Sequence, residues 1–369
     1  MYDIAIIGAG PAGATLAREI GTDCRTLLVD RRELREAPAP GARDKCCGGL
    51  LAPDAQRMLA RFGLAMPADI LADPQLFSVR VIDLPSGRQR DYQRHYVNID
   101  RGRFDRWLVS LVPQEVDVRF GWRFRACRRV GRVFALTLTR GGRCVTVRAR
   151  TVVGADGASS PVRACSPPGG PHPRAYIAVQ HWYRPLAAPP HFCAVFDPRI
   201  TDYYCWTIPK RDALILGAAL KPSRHALKSF GRLKRSLEDV GFRFGVRIRA
   251  EAAMLLRPTH PGQLRLGRDG IVLVGEAAGF VSPSSGEGLS YAMANAAILA
   301  EAIRPDAPDL HRRYRAMTRS LRANIAAKWI KARLMYSPLA RGVLLASGLR
   351  SLATADPAHR PPVALKAHA

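Results

Sequence analysis

A glycine-rich segment near the N-terminus has the residue types and spacing of a phosphate-binding turn. It is Gly8-x-Gly10-x-x-Gly13, and it lies between an apolar run at residues 3–7 and a helical pattern at residues 11–20. The first glycine permits a tight turn, the second lets the backbone approach a pyrophosphate, and the third allows the helix to pack closely on a sheet. The first turn of the helix would offer its N–H groups to the phosphates. The segment therefore predicts a dinucleotide site.

An acidic residue is expected about 20 residues after such a turn, at the end of the second strand, where it binds ribose hydroxyls. Asp30 follows the apolar residues 27–29 and precedes Arg31. We expect both residues, together with Ala12 in the first helical turn, to contact the cofactor. The strand, the helix and the acid together favour a dinucleotide site over a purely structural glycine turn.

Two later segments each place small residues and an acid after an apolar run. They span residues 154–163 and residues 275–288. Small residues let the backbone approach a ligand, and a carboxylate accepts hydrogen bonds from ribose or ribityl hydroxyls. Either segment alone is typical of an ordinary strand-to-turn connection, but the three segments in this order are more specific. The acids of the two segments are Asp156 and Glu276.

An α/β fold is needed to position these segments. The strand, helix and strand at the N-terminus begin a Rossmann-like domain, and β-rich stretches between the glycine segments predict an inserted mixed β-sheet domain. The chain then ends in a basic helical segment. The predicted boundaries are residues 1–75, 98–170 and 255–308 for the first domain, residues 76–97 and 171–254 for the inserted domain, and residues 309–369 for the C-terminal segment.

Length, composition and charge exclude several classes of protein. The chain has 369 residues, which suggests about two domains, and 47% of them are hydrophobic, as in a globular protein. No apolar run approaches the ~18 residues of a transmembrane helix, and Met1 leads directly into a strand-like run rather than a secretory signal. The net charge of +27 suits an acidic partner. Because no nucleic-acid-binding motif is visible, we expect no nucleic acid.

The number and spacing of the cysteines and histidines indicate whether the chain has a metal site and whether its cellular compartment is reducing. The 8 cysteines form no C-x-x-C pair, and the 9 histidines show no ligand spacing. We therefore predict no metal site. Without a disulfide or zinc pattern, a reducing cytoplasm is the simplest expectation.

The order and content of the three segments resemble the FAD-dependent oxidoreductases built like p-hydroxybenzoate hydroxylase, and within them the geranylgeranyl reductase family. The family motif D-G-x-x-S-x-V-R matches residues 156–163, and its G-D-A-A-G loop matches residues 275–279 with Glu276 in place of aspartate. The resemblance covers most of residues 1–305. It implies that the cofactor is FAD, that the first domain binds it, and that the inserted domain binds the substrate. It also implies that the residues of the two later segments that contact FAD are Asp156, Gly157, Ser160, Arg163, Gly275, Glu276, Gly279, Pro283, Gly286 and Gly288. A helix beginning near Gly286 would point its positive end towards the flavin.

Three further motifs are similar to this family. The loop containing Cys47, Gly48 and Gly49 is similar to its C-G-G loop, which would approach the flavin. Residues 101–108 are similar to its R-x-x-F-D-x-W-L helix, whose first arginine, here Arg101, approaches the cofactor.

The third motif, at residues 204–209, is similar to the family's Y-x-W-x-F-P substrate motif, with isoleucine in place of phenylalanine. Tyr204 and Trp206 alternate along a strand, so both would face one side and could line an apolar pocket. Without the resemblance, ordinary core packing would explain these two rings, and Cys47, equally well.

The resemblance implies a reductase. Reduced FAD would pass a hydride to a carbon–carbon double bond of an isoprenoid or prenyl lipid chain, and Tyr204 and Cys47 are candidates for the proton donor. Because only one dinucleotide fingerprint is present, the electrons would come from transiently docked NAD(P)H or from an acidic protein such as a reduced ferredoxin.

Two alternatives remain open. The first is an FAD-dependent monooxygenase or halogenase acting on an aromatic or apolar small molecule, because residues 204–209 also resemble the halogenase pattern W-x-W-x-I-P. The second is a non-catalytic flavin- or lipid-binding protein at a membrane surface.

The C-terminal segment bears on location. Residues 310–369 contain 12 Lys and Arg residues and one Asp, interleaved with apolar side chains. Such a stretch could lie on anionic lipid, and a helix packed on its own domain is an equally good interpretation. We therefore expect a cytoplasmic protein with a possible peripheral membrane contact.

Overall fold

The computed structural model describes residues 1–35, 44–166, 171–187, 191–303 and 309–352. The chain forms two compact units. The first unit comprises Met1–Leu71, Ile99–Tyr176 and Ala253–Leu334, and the second comprises Ala72–Asn98, Ile177–Ala252 and Met335–Ala369. The predicted α/β fold with mixed sheets and C-terminal helices is confirmed. Parts of the predicted boundaries, at residues 167–170, 304–308 and 353–369, lie outside the described residues.

The elements of the described chain are numbered in chain order. The α-helices are α1 (Pro11–Ile20), α2 (Pro53–Arg61), α3 (Arg101–Ser110), α4 (Pro161–Cys165), α5 (Ala226–Asp239), α6 (Leu289–Ala302), α7 (Leu310–Met317), α8 (Arg319–Tyr336) and α9 (Pro338–Ser347). The strands are β1 (Tyr2–Ile7), β2 (Thr26–Asp30), β3 (Leu50–Leu51), β4 (Leu76–Asp83), β5 (Arg88–Asn98), β6 (Asp117–Phe120), β7 (Arg123–Val130), β8 (Val133–Arg140), β9 (Arg143–Gly154), β10 (Arg174–Ala187), β11 (Phe192–Phe196), β12 (Cys205–Lys210), β13 (Ala213–Leu220), β14 (Arg243–Arg257), β15 (Gly267–Arg268) and β16 (Ile271–Leu273). Short 3-10 helices lie at Ala68–Ile70, Pro261–Gln263 and Gly275–Ala278.

The sheet of the first unit brings the three glycine segments to one edge. Its strand order is β15-β16-β9-β1-β2-β6, and β16, β9, β1, β2 and β6 are parallel. Strands β1 and β2 are almost continuous apolar runs, as expected for parallel strands covered on both faces. In the register, Ile7 lies opposite Val29 and Gly154, and Gly154 lies opposite Leu273. The turns after β1, β2, β9 and β16 therefore start side by side.

The second unit contains a mixed sheet with strands β10, β13, β12, β11, β4 and β5 in that order. Strand β4 runs parallel to β11, and the other neighbouring pairs among these strands are antiparallel. Helix α5 covers one face with an apolar stripe. Phe230, Leu233 and Leu237 of this stripe belong to the core of the second unit.

The described C-terminal helices divide between the two units. In the first unit, the buried hydroxyl of Tyr314 on α7 donates a hydrogen bond to the carbonyl of Leu273 at 3.0 Å, and Ile325 of α8 lies in the core. The chain from Met335 onwards belongs to the second unit, where Arg341 of α9 is buried beside Asp83. Within the described residues, no helix is both long enough and apolar enough to cross a bilayer.

Candidate functional site

The glycine turn after β1 packs tightly on the protein at two of its three glycines. Gly8 has φ of +105°, and a Cβ there would lie 2.5 Å from the carbonyl oxygen of Ala155. A Cβ on Gly13 would lie 1.8 Å from the carbonyl oxygen of Gly8. At Gly10, by contrast, a Cβ would meet no described atom within 4 Å, apart from its neighbours in the chain. Helix α1 begins here with Pro11 and without a side-chain cap.

Asp30 ends β2 as predicted, and protein groups already surround its carboxylate. One oxygen accepts the N–H of Ala9 at 2.8 Å and the Arg32 guanidinium at 3.0 Å. The other accepts the backbone N–H of Arg32 at 2.8 Å and its Nε at 3.2 Å. Asp30 thus holds the glycine turn in place, and a ribose contact there stays a prediction. Arg31 is exposed, and it is Arg32 that turns inwards.

The buried carboxylate of Asp105, on helix α3, binds Arg32, the arginine that also pairs with Asp30. Asp105 is 1% exposed, and its two oxygens accept hydrogen bonds from Arg101 Nε and from an Arg32 terminal nitrogen, each at 2.8 Å. Burial opposes the charge on Asp105, but Arg101 and Arg32 outweigh it and lower its pKa. Burial likewise opposes the charge on Arg101, and Asp105 and the sulfur of Cys47 raise its pKa. The network fixes the side chain of Arg101, and its contact with the cofactor stays a prediction.

The loop at residues 44–49 is tied to two parts of the site. The sulfur of Cys47 accepts a hydrogen bond from the N–H of Gly49 at 3.4 Å and another from the guanidinium of Arg101. Lys45 Nζ lies 3.7 Å from the carboxylate of Glu276. The structure therefore brings the loop of Cys47 together with helix α3 and with the glycine segment at residues 275–288.

The second glycine segment contains a carboxylate with an unused oxygen. One oxygen of Asp156 accepts the N–H of Val162 at 3.1 Å, and the other is buried without a hydrogen-bond partner in the described chain. Burial raises the pKa of Asp156. An unpartnered buried carboxylate oxygen is costly, which points to a ligand hydroxyl as its missing donor. Gly157 beside it has φ of +80°, and a Cβ there would meet no described atom within 4 Å.

Ser160 and Arg163 of the same segment bind protein groups. The Ser160 hydroxyl caps α4 by accepting the N–H of Arg163 at 3.0 Å. The Arg163 guanidinium donates to the carbonyls of Ala277 at 2.7 Å and Glu276 at 3.4 Å. Burial, and then Arg265, lower the pKa of Arg163 to about 10. Arg163 thus joins the second and third segments, and direct contact of either residue with a cofactor stays a prediction.

The third segment is held by its neighbours from both sides. The carboxylate of Glu276 accepts the N–H of Leu256 at 3.1 Å, so the extra methylene relative to aspartate reaches the end of β14. The N–H of Gly275 donates to the side-chain oxygen of Asn295 on α6 at 2.9 Å. A Cβ on Gly275 would lie 3.0 Å from the Cβ of Ala12, so the first and third segments touch.

The N-terminus of α6, which is expected to point towards the flavin, lies next to a carboxylate of the protein. Gly288 is the N-cap residue and provides no side chain, but Glu287 accepts the N–H of Ser290 at 2.7 Å and its hydroxyl at 2.6 Å. This carboxylate therefore occupies part of the helix terminus. Burial raises the pKa of Glu287. The carbonyl of Pro283 accepts a hydrogen bond from Arg257 at 3.1 Å, which holds the preceding turn.

The two aromatic candidates lie in the second unit. Trp206 is on β12 and is 6% exposed, and Tyr204 directly precedes that strand. Their ring centroids are 5.3 Å apart, so they share one face of the sheet. Gly217 lies opposite Trp206 in the β12–β13 register, and a Cβ there would lie 2.1 Å from the indole ring. The indole therefore lies flat over a glycine of the neighbouring strand.

The residues of the first unit that were predicted to contact the cofactor are thus of two kinds. Some have space or an unpartnered atom available for a ligand, and others already bind protein groups. The residues placed in this unit are Gly8, Gly10, Ala12, Gly13, Asp30, Arg31, Cys47, Gly48, Gly49, Arg101, Asp156, Gly157, Ser160, Arg163, Gly275, Glu276, Gly279, Pro283, Gly286 and Gly288. Sequence reasoning missed Arg32, Asp105 and Glu287. For Asp105 a signal existed, because an arginine and an aspartate four residues apart on a helix face each other.

The site fits an FAD molecule on three observations. These are the open space at Gly10, the uncapped N-terminus of α1, and the unpartnered oxygen of Asp156. Together they provide room for a pyrophosphate, N–H donors for its oxygens and an acceptor for a hydroxyl.

Comparison with known proteins agrees with this assignment. Residues 1–178 match the family described as FAD binding domain. The chain is 37% identical over 351 residues to Protein CbrA of Escherichia coli O6:H1, covering 94% of each chain. A geranylgeranyl bacteriochlorophyll reductase-like protein from Thermoplasma acidophilum superposes with a TM-score of 0.78 at 20% identity, covering 93% of this chain and 89% of that one. The flavin-dependent brominase Bmp2, as a triple mutant, superposes with a TM-score of 0.71 at 18% identity, covering 95% and 92%.

The fold and the glycine site define an FAD-dependent oxidoreductase. Within that class, the chain belongs to the family of the CbrA proteins. The expected membership in the geranylgeranyl reductase family is therefore only partly supported. At 20% identity, the likeness to that reductase-like protein shows a shared fold and nothing more specific.

Proposed function

We propose that the protein reduces carbon–carbon double bonds in an isoprenoid or similarly apolar chain. The observation that carries this proposal is the setting of Cys47. Its sulfur accepts hydrogen bonds from Arg101 and from the N–H of Gly49, and its loop is tied to the third glycine segment through Lys45 and Glu276. A thiol held in this way beside the cofactor-binding residues is suited to proton transfer.

The reaction adds a hydride to one carbon and a proton to its neighbour. Reduced FAD, when bound, supplies the hydride. The proton must come from a group within hydrogen-bonding distance of the reacting carbon. The sulfur of Cys47 accepts the N–H of Gly49 and lies beside the guanidinium of Arg101.

The experiment is an anaerobic turnover assay with the flavin-loaded protein, dithionite as reductant and geranylgeranyl lipids as substrates. The proposal expects product masses that rise by two hydrogens per reduced bond in H2O. In D2O it expects two solvent deuteriums per bond, because dithionite supplies only electrons and the transferable hydrogen of reduced flavin exchanges with solvent. Cys47→Ala should lower the rate about 100-fold or more while FAD still binds, because a positioned general acid contributes about 10²–10⁴. Cys46→Ala is the matched control and should turn over at close to the native rate. A Cys47→Ala variant with the native rate would remove Cys47 from the reaction.

The electron source is part of the same proposal. Either NAD(P)H docks transiently or an acidic protein such as a reduced ferredoxin delivers the electrons, to which a net charge of +27 is favourable. Anaerobic mixing with NADH, NADPH and a reduced ferredoxin, followed by loss of flavin absorbance, distinguishes these donors.

A second candidate is an FAD-dependent monooxygenase or halogenase. Trp206 favours it, because this ring lies flat on Gly217 beside Tyr204 and presents an aromatic wall in the second unit. The same assay run in air, with and without bromide, tests this candidate. An oxygen-dependent gain of one oxygen or one halogen atom would replace the reductase proposal. Bound FAD without any product would favour a non-catalytic binding protein.

A further inference from the structure

Helix α9 and the turn after it expose a cluster of aliphatic side chains. Leu339 is 84% exposed, Val343 is 72% exposed and Leu349 is 63% exposed. Leu339 and Val343 are four residues apart, so they project from the same face of the helix. Single exposed apolar residues are normal on a protein surface, but a group within 11 residues of one short segment marks an interaction site.

The rest of the helix is firmly anchored in the second unit, so this exposure is not that of a fraying terminus. Arg341 is 4% exposed and its Nε donates to Asp83 at 2.8 Å. Leu345 is 1% exposed, and the Ser337 hydroxyl caps the helix at Ala340. The buried face fixes the rotation of α9 about its axis, and that rotation turns Leu339 and Val343 outwards.

Positive charges surround the aliphatic cluster. A guanidinium nitrogen of Arg88 lies 4.0 Å from the position of a Cβ on Gly342, and Arg90 Nε lies 3.8 Å from the position of a Cβ on Gly348. Arg350 is exposed at the C-terminal end of the cluster. Residues 335–352 contain no acidic residue.

The carboxylates nearest in the sheet are already paired. Asp83 pairs with Arg341, and Asp91 pairs with Arg80 through hydrogen bonds of 2.8 and 2.9 Å. The surface is therefore aliphatic at its centre and cationic around it.

We propose that this surface, called the α9 surface and formed by Leu339, Val343, Leu349, Arg88, Arg90 and Arg350, docks on an anionic lipid bilayer. Aliphatic side chains enter the boundary between headgroups and acyl chains, and arginines bind the phosphate and carboxylate headgroups. A second copy of the chain is a poor occupant, because it would bring the same arginines against one another. Centres of protein interfaces are typically built on Trp and Tyr, which this cluster lacks. The proposal goes beyond the proposed function and does not depend on it.

The test is vesicle flotation with the full-length, flavin-loaded protein at 0.1 M salt. Vesicles of phosphatidylcholine with about 30% phosphatidylglycerol should bind the protein, and vesicles of pure phosphatidylcholine should bind it much more weakly. Replacing Arg88, Arg90 and Arg350 by glutamine should lower the affinity about 100-fold, because each arginine near the surface contributes about 1 kcal/mol. Leu339→Ser with Val343→Ser should lower it about 10-fold or more through lost apolar burial.

Matched controls on α5 of the same unit keep the proposal falsifiable. Lys228→Gln, Arg232→Gln and Arg235→Gln remove the same charge from another exposed surface, and Leu227→Ser replaces a leucine that is 70% exposed. These variants should bind within about twofold of the native protein.

Three outcomes overturn the proposal. They are a native protein that does not float with anionic vesicles, a control triple variant that loses as much affinity as the α9 triple, and a concentration-dependent dimer that Leu339→Ser with Val343→Ser abolishes. Far-UV circular dichroism and flavin content of each variant verify that it is folded.

Discussion

Asp105 can be tested by replacing it with asparagine, which keeps the shape of the side chain and removes its charge. The carboxylate is 1% exposed and accepts hydrogen bonds of 2.8 Å from Arg101 and from Arg32. Arg101 is itself only 8% exposed, so it would lose its counter-charge inside the protein. Removing one partner of a buried ion pair costs about 3–5 kcal/mol, compared with about 0–1 kcal/mol for an exposed pair. We expect the first unit to lose stability within the larger range.

Urea unfolding of the flavin-free protein, followed by far-UV circular dichroism, measures this loss. Asp100→Asn is the matched control, because Asp100 is exposed, caps the same helix and accepts the N–H of Arg103 at 2.9 Å. Asparagine caps a helix as well as aspartate, so this control should change stability by less than about 0.5 kcal/mol. FAD affinity, from quenching of flavin fluorescence, should fall in Asp105→Asn because Arg32 and Arg101 lose their common anchor.

The pH dependence provides an independent check on the same residue. The pKa of Asp105 is lowered in the folded protein, so its contribution is present above the unfolded pKa of about 3.9 and is lost as the pH falls through the folded pKa. The acid dependence of stability should therefore be shallower in Asp105→Asn. An Asp105→Asn protein within about 1 kcal/mol of the native one, with unchanged FAD affinity, would refute the reasoning.

Three further predictions concern other parts of the first unit. Gly10→Leu should abolish FAD binding and leave the unfolding midpoint in urea nearly unchanged. Gly13→Ala should instead destabilise the fold, because its Cβ would lie 1.8 Å from a carbonyl oxygen. Equal loss of stability in both variants would contradict this prediction. Burial raises the pKa of Asp156. The stability of the flavin-free protein should therefore fall as the pH rises through that pKa. A hydroxyl donor from FAD would stabilise the charged form of the carboxylate. FAD should then bind more tightly as the pH rises, and a titration of Asp156→Asn over the same pH range should show no such increase. Hydrogen bonding from Cys127 lowers the pKa of Cys165. Cys127→Ala should therefore slow the alkylation of Cys165 by iodoacetamide at pH 7, which peptide mass spectrometry measures. An unchanged alkylation rate would disprove this prediction.

The sequence by itself determined the class of the protein. The glycine turn, the apolar strand before it and the acid after β2 are local patterns, and each depends on backbone sterics and hydrophobic periodicity within about 30 residues. Gly8, Gly10, Asp30 and Asp156 were therefore proposed as site residues from local patterns alone.

Only the tertiary structure decided which of these groups remain open to a cofactor. Asp30 binds Ala9 and Arg32, and Asp105 reaches Arg32 across 73 residues of chain. Glu276 reaches Leu256 on β14. The division of the C-terminal segment was also decided by the tertiary structure. Its basic and apolar residues form one continuous pattern in the sequence, but they divide between the two units at Leu334 and Met335. Hydrogen-bond saturation and burial depend on partners distant in sequence, and no local pattern records those partners.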